Sequence, residues 1–218
     1  MRSSATALSP EKPLLRGVSH EIAAGLALAA WVGLAFLASP GTARIAAHVY
    51  GASLFGLFLV SALYHRPAWP PRARLVMRRL DHSAIFFLIA GTYTPFCLLL
   101  PAPAGERLLV IVWSGAAIGV LRSVLWVHAP KPLAAAVYVL LGWVVVPVLP
   151  SLYAALGAGA LALLVAGGAA YTLGAVVYAT RRPDPFPRVF GYHEVFHALV
   201  VAAAACHFVV AASAIRAL

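Results

Sequence analysis

The chain has 218 residues, of which 63% are hydrophobic and only 10% charged, and its formal net charge is +10. That balance excludes an ordinary soluble domain, which is about 45–50% apolar and about 25% charged. The two cysteines, Cys97 and Cys206, both fall in apolar segments, so a disulfide framework is excluded as well.

Residues 1–19 are polar, contain two prolines and lack a small-residue cleavage site. They read as a short cytosolic tail rather than a cleavable signal peptide. From residue 20 to 218 the chain reads as one transmembrane domain. Uncharged runs of 22, 20, 23 and 21 residues occupy 22–43, 45–64, 83–105 and 195–215. Each matches the roughly 20 helical residues that cross a hydrocarbon core. A further span over 108–127 carries Arg122 near one end, where a long side chain can snorkel to the interface. The uncharged run over 132–180 is 49 residues long, too long for one span, and Pro147, Pro150 and Ser151 are expected to divide it. The prediction is an all-α integral membrane protein, a seven-transmembrane helix bundle with spans near 21–39, 45–65, 81–101, 107–127, 132–149, 154–179 and 193–215.

Charge supplies an orientation. With the N-terminus inside, segments 1–20, 66–80, 122–132 and 180–192 are cytosolic and hold 13 of the 16 basic residues, leaving Arg44, Arg107 and Arg216 outside. The positive-inside rule therefore predicts an N-in, C-out topology. The basic residues sit in short loops, so the expected partners are anionic lipid headgroups and not nucleic acid. Small residues such as Gly157, Gly159, Gly167, Gly168 and Gly174 read as packing positions between membrane helices.

Titratable residues in or beside a span are costly and are functional candidates by default. "SALYH" closes the second span with Ser61 and His65 on one face; "RRLDHSAIFFLIAGTYTP" opens the third with Asp81; "HEVFH" opens the seventh with His193 and His197 on one face. The predicted topology sets all five near the cytosolic leaflet. Three His, a carboxylate and a hydroxyl at one depth suit a catalytic zinc site, in which three protein ligands leave a position for water. Asp81 would accept the proton of that water or orient it, and Ser61 would hydrogen-bond the water or a developing oxyanion. His20, His48, His82 and His128 each read singly as interfacial polar residues.

"SALYH", then "LDHSAIFFLIAGTYTP", then the terminal "HEVFHALVVAAAACHF", with "RGVSHEIAA" at the entry to the first span, resemble the haemolysin III family. That family lies in the progestin and adipoQ receptor superfamily, within a wider group of membrane hydrolases that includes alkaline ceramidases. The resemblance implies a seven-helix bundle with a zinc ion near the cytosolic side, held by His65, His193 and His197. The family's Ser and Asp fall on Ser61 and Asp81, and its late His on His207.

His193-Glu194-Val195-Phe196-His197 also matches the H-E-x-x-H metalloprotease signature, whose Glu is the general base. A zincin takes its third ligand downstream. Beyond the motif this chain has no acidic residue and only His207, which ten residues of helix set about 15 Å deeper. The third ligand must come from earlier in the chain, and His65 is the candidate. Glu194, about 100° around the helix from His193, is within reach of the metal water, but its expected role is to solvate the helix mouth, and His207 is expected to make an interhelical hydrogen bond.

The expected function is zinc-dependent hydrolysis of an amide or ester bond in a membrane lipid, in the bacterial cytoplasmic (inner) membrane. Two alternatives stand beside it: a regulator or sensor of membrane lipid state with a structural zinc, and a cytolytic membrane protein. A bis-His haem is disfavoured, because the second span supplies only His65 to face the pair on the seventh.

Overall fold

The computed structural model describes residues 12–218, so residues 1–11 of the expected tail lie outside the described residues. Seven α-helices follow in chain order: α1 (Val18–Leu37), α2 (Thr42–His65), α3 (Pro71–Leu99), α4 (Ala104–Leu125), α5 (Lys131–Gly142), α6 (Leu149–Thr180) and α7 (Tyr192–Ala217), with a 3₁₀ turn at Trp143–Val148 between α5 and α6. Among the described residues there is no β-strand, only an isolated bridge between Phe186 and Phe190. Among the described residues, six helical stretches are long and apolar enough to cross a membrane, the fifth of them being the 50-residue Lys131–Thr180. Helix is the expected answer for such segments, because it satisfies every backbone polar group within itself. Side chains such as Leu26, Phe36, Ile118, Leu140 and Leu173 point outward and exposed, as a lipid-facing surface requires.

α3 begins well before the expected 81, at Pro71. Proline suits the first turn of a helix, where its missing N–H costs nothing, and the arginine-rich stretch from Arg72 to Arg79 extends the helix beyond its apolar part.

The long apolar stretch doubles back, but not at the expected Pro147–Ser151. Pro147 lies in the 3₁₀ turn and Pro150 in the first turn of α6, both tolerated positions. The helical path breaks at Gly157, where φ is 80° and ψ 175°, a conformation that favours glycine. The contacts on either side show the reversal. Trp143 Nε1–H donates to Thr172 Oγ1 at 2.9 Å, and Lys131 lies against the Tyr178 ring, so the two limbs run antiparallel with Gly157 at the bend. The 3₁₀ turn is satisfied from outside: the Tyr93 hydroxyl donates to the Gly142 carbonyl at 2.6 Å and accepts the Val145 N–H at 2.9 Å. Irregular backbone inside an apolar bundle persists only when its polar groups are paired in this way.

α7 packs against α1, α2, α3 and α6, and α3 against α2, α4, α5 and α7. Small residues allow close approach at several crossings. A Cβ at Gly51 would meet Trp31, one at Gly91 would meet Ser53, and one at Gly119 would meet Phe86. Buried hydroxyls turn inward on their own helices: Thr92, Thr94 and Ser123 each donate to the carbonyl four residues back.

Candidate metal centre

The end of the bundle where α2 finishes and α3 and α7 begin holds the polar residues. His65 closes α2, and the α-helical rise from Ser61 brings both side chains to the same face. His193 and His197 occupy the first turns of α7, one turn apart. Candidate ligand atoms of His65, His193 and His197 all lie within 4.8 Å of one another, so these three residues form a group able to hold a metal ion. The Nε2 atoms of His65 and His193 face each other at 3.2 Å. Tetrahedral zinc with Zn–N bonds of about 2.0–2.1 Å sets its ligand nitrogens about 3.3 Å apart, so this pair fits such an ion. The donor set, three imidazoles and no thiolate, also suits zinc among several divalent metals.

Ser61, His65 and His197 are buried, while His193 and Asp81 are partly buried. The Asp81 carboxyl has the Ser61 hydroxyl and the Arg78 guanidinium as neighbours and is not one of the three-His group. An aromatic wall of Tyr178, Tyr192 and Phe196 rings His193. The Lys131 ammonium sits 4.6 and 4.9 Å from the Tyr178 and Tyr192 ring centroids and donates to the Tyr192 hydroxyl at 2.9 Å.

Glu194 is not free to act on this centre. It is 3% exposed, its Oε1 accepts a hydrogen bond from Arg16 Nε, and its Oε2 accepts the Gly191 N–H at 2.9 Å. One oxygen therefore caps α7 and the other neutralises a partly buried guanidinium. The expected solvated helix mouth is instead a sealed ion pair, because residues 12–17 cross this end of the bundle. Lys12 donates to the Arg66 carbonyl at 3.0 Å, and the Leu14 and Leu15 N–H groups donate to the Arg188 and Val189 carbonyls at 3.0 and 3.1 Å. Gly17, at φ 81°, brings this segment so close that a Cβ there would lie 2.8 Å from the His65 Cβ.

His207 stays apart from the centre. Its Nε2 is 3.1 Å from the Leu164 carbonyl across the α6–α7 crossing, where Gly167 leaves room for the ring. His48 and His128 are exposed, and His82 is partly buried on α3. His20 is the residue that reading each His alone misses. It is 3% exposed, its Nδ1 is 2.8 Å from Ser61 Oγ, and its ring stacks on His197 with centroids 3.7 Å apart and planes 3° from parallel. The signal available was its place within "RGVSHEIAA" at the same end of the chain's first helix.

An apolar helical bundle with a buried three-histidine group at one end defines a multi-pass membrane protein with a candidate metal centre. Residues 8–208 match the family described as haemolysin-III related, and the chain belongs to that family. It is 35% identical over 202 residues to hemolysin-3 of Bacillus cereus, covering 91% of this chain and 89% of that protein. It is 33% identical over 202 residues to a hemolysin-3 homolog of Bacillus subtilis, covering 91% and 92%. The human monocyte to macrophage differentiation factor is 30% identical over 170 residues, covering 76% of this chain and 68% of its own length. The family and its bacterial relatives place the protein in the bacterial cytoplasmic membrane.

Proposed function

We propose that this protein is a zinc-dependent hydrolase of amide or ester bonds in membrane lipids. The observation that carries the reading is the combination of three clustered imidazoles with a carboxyl and a hydroxyl that are not needed to hold the ion. His65, His193 and His197 would hold zinc, which supplies Lewis acidity and lowers the pKa of a bound water to about 7. Asp81 serves as proton acceptor at its carboxylate. Ser61 donates a hydrogen bond toward the oxygen on which charge develops as a lipid carbonyl is attacked. The segment over residues 12–17 and the ring of Tyr178, Tyr192 and Phe196 keep bulk water from the site. A lipid is the natural substrate for a site embedded at one end of an apolar bundle, since its acyl chains remain in hydrocarbon while the polar bond reaches the histidines.

In this reading the chain crosses the membrane seven times, with the limbs before and after Gly157 as separate passes, and lies N-in and C-out. The 13-to-3 division of basic residues supports that orientation. Reporter fusions at the two ends test it, and reporters active on the same side would sink it.

Purified protein is expected to contain about one zinc per chain, lost in His65→Ala and His193→Ala. Untargeted lipidomics of membranes with and without the protein, followed by fatty-acid release from lipid amides and esters by the solubilised protein, identifies the substrate. Zinc that is retained undiminished in both His variants overturns the ligand set. Zinc-loaded wild-type protein that releases fatty acid from no lipid overturns the hydrolase and leaves a zinc-stabilised lipid sensor.

A further inference from the structure

His20 has no part in the chemistry assigned to Ser61, Asp81 and the three histidines, yet it touches two of them. A metal-bound imidazole is normally oriented by a hydrogen bond at its second nitrogen, from a carboxylate, a carbonyl or water. With Nε2 as its ligand atom, as in the facing His65–His193 pair, His197 differs: its Nδ1 is buried and has no hydrogen-bond partner among the described residues. What it has is a face. The His20 ring lies parallel to it, 3.7 Å away, and the Phe58 ring packs on His20 in a T-shaped contact at 5.0 Å and 72°. Three helices, α2, α1 and α7, thus contribute one ring each to a Phe58–His20–His197 cluster. Aromatic contacts of this kind hold a ring plane as a packed surface does, without a polar partner.

The second contact is directional. His20 Nδ1 lies 2.8 Å from Ser61 Oγ, and the Ser61 hydroxyl neighbours Asp81. If Nδ1–H donates to Ser61 Oγ, the hydroxyl proton is left to point at the Asp81 carboxylate or at a substrate oxygen. With the opposite polarity the serine proton is consumed by His20, and Ser61 has nothing to donate into the site.

We propose that His20 is a positioning residue of the metal centre, its ring face fixing the plane of His197 and its Nδ1 fixing the direction in which the Ser61 hydroxyl donates. The proposal rests on the reading that His65, His193 and His197 hold zinc. Its two halves separate by substitution. His20→Phe keeps a flat ring against His197 and removes Nδ1. His20→Asn keeps an amide nitrogen near the Nδ1 position and removes the stack.

The experiment uses the full-length protein in detergent, with zinc affinity measured by chelator competition. The cobalt(II)-substituted absorption spectrum reports ligand geometry, and fatty-acid release is measured at saturating zinc. His20→Phe is expected to hold zinc within about 3-fold of wild type, keep the cobalt spectrum and lose about 10- to 100-fold in hydrolysis. His20→Asn is expected to lose about 10-fold or more in zinc affinity with an altered cobalt spectrum, the scale on which groups behind metal ligands act. It keeps most of its hydrolysis once saturated with zinc. If the Asn variant does not accumulate as folded protein, His20→Ala takes its place: it removes both the ring and the nitrogen, so its zinc affinity and cobalt spectrum set against those of His20→Phe read the stack alone. Wild-type affinity and an unchanged cobalt spectrum in the Asn variant overturn the stacking role. Equal losses of every property in both variants mean simple core packing and overturn the whole proposal. Zinc binding without hydrolysis in the wild type removes the proposed enzyme, while the affinity and cobalt measurements still decide the stack.

Discussion

Towards the same end of the bundle α3 and α7 each carry a carboxylate, Asp81 ten residues into α3 and Glu194 in the first turn of α7, and the two are in opposite situations. Glu194 lies inside a zinc-protease signature, yet both of its oxygens are taken, by Arg16 and by the Gly191 N–H. Asp81 lies in no such signature, and although the Ser61 hydroxyl and the Arg78 guanidinium are near it, no salt bridge holds it among the described residues. An acid locked in an ion pair and a helix cap holds a structure in place. An acid near a serine hydroxyl and outside any ion pair is able to exchange a proton. Position in a motif therefore says less about a carboxylate's role than the partner that reaches it from another helix.

Removing the free carboxylate has the larger expected effect. Asp81→Asn should lower lipid hydrolysis on the order of 10²-fold or more, as loss of a general base does, while zinc content stays near one per chain. Loss of zinc in that variant would make Asp81 a ligand and remove the contrast. Glu194→Gln should retain hydrolysis within about 3-fold, because the residue supports rather than reacts. Its cost falls on stability: Arg16 loses its anionic partner, which lowers unfolding stability by about 1–3 kcal/mol, read as an earlier thermal transition. An inactive Glu194→Gln beside an active Asp81→Asn would reverse the two roles and restore the protease signature as the working motif. The smallest effect belongs to His207. His207→Phe removes one hydrogen bond to the Leu164 carbonyl across α6 and α7 and should cost about 1 kcal/mol, with zinc content unchanged. A fall in bound zinc there would join the middle of α7 to the centre at its mouth.

Much of the centre could be read from the chain itself. Ser61 and His65 on one helical face, and His193 and His197 on another, follow from the 3.6-residue repeat. That His65 joins the α7 pair follows from both lying where apolar runs meet charged segments. His20 was not legible in the same way, because nothing in its own helix distinguishes a histidine that faces solvent from one stacked on α7. The fate of Glu194 was equally hidden. Arg16 lies 178 positions away in the chain, and only the crossing of residues 12–17 over the bundle end brings them together.

Hydropathy and helical periodicity are local properties, and they alone determined that this chain is an all-helical membrane protein with its costly polar residues gathered at the ends of particular helices. Which helices touch is a matter of packing between surfaces that are apolar almost everywhere, so no local pattern announces it. The tertiary structure decided that α3 and α7 each pack against four other helices. It decided that the long apolar stretch turns at Gly157 rather than at its prolines, since a proline in the first turn of a helix is harmless whereas the bend needs a positive φ. It also decided that one carboxylate is sealed by an arginine and that a histidine from α1 stands against a candidate ligand on α7.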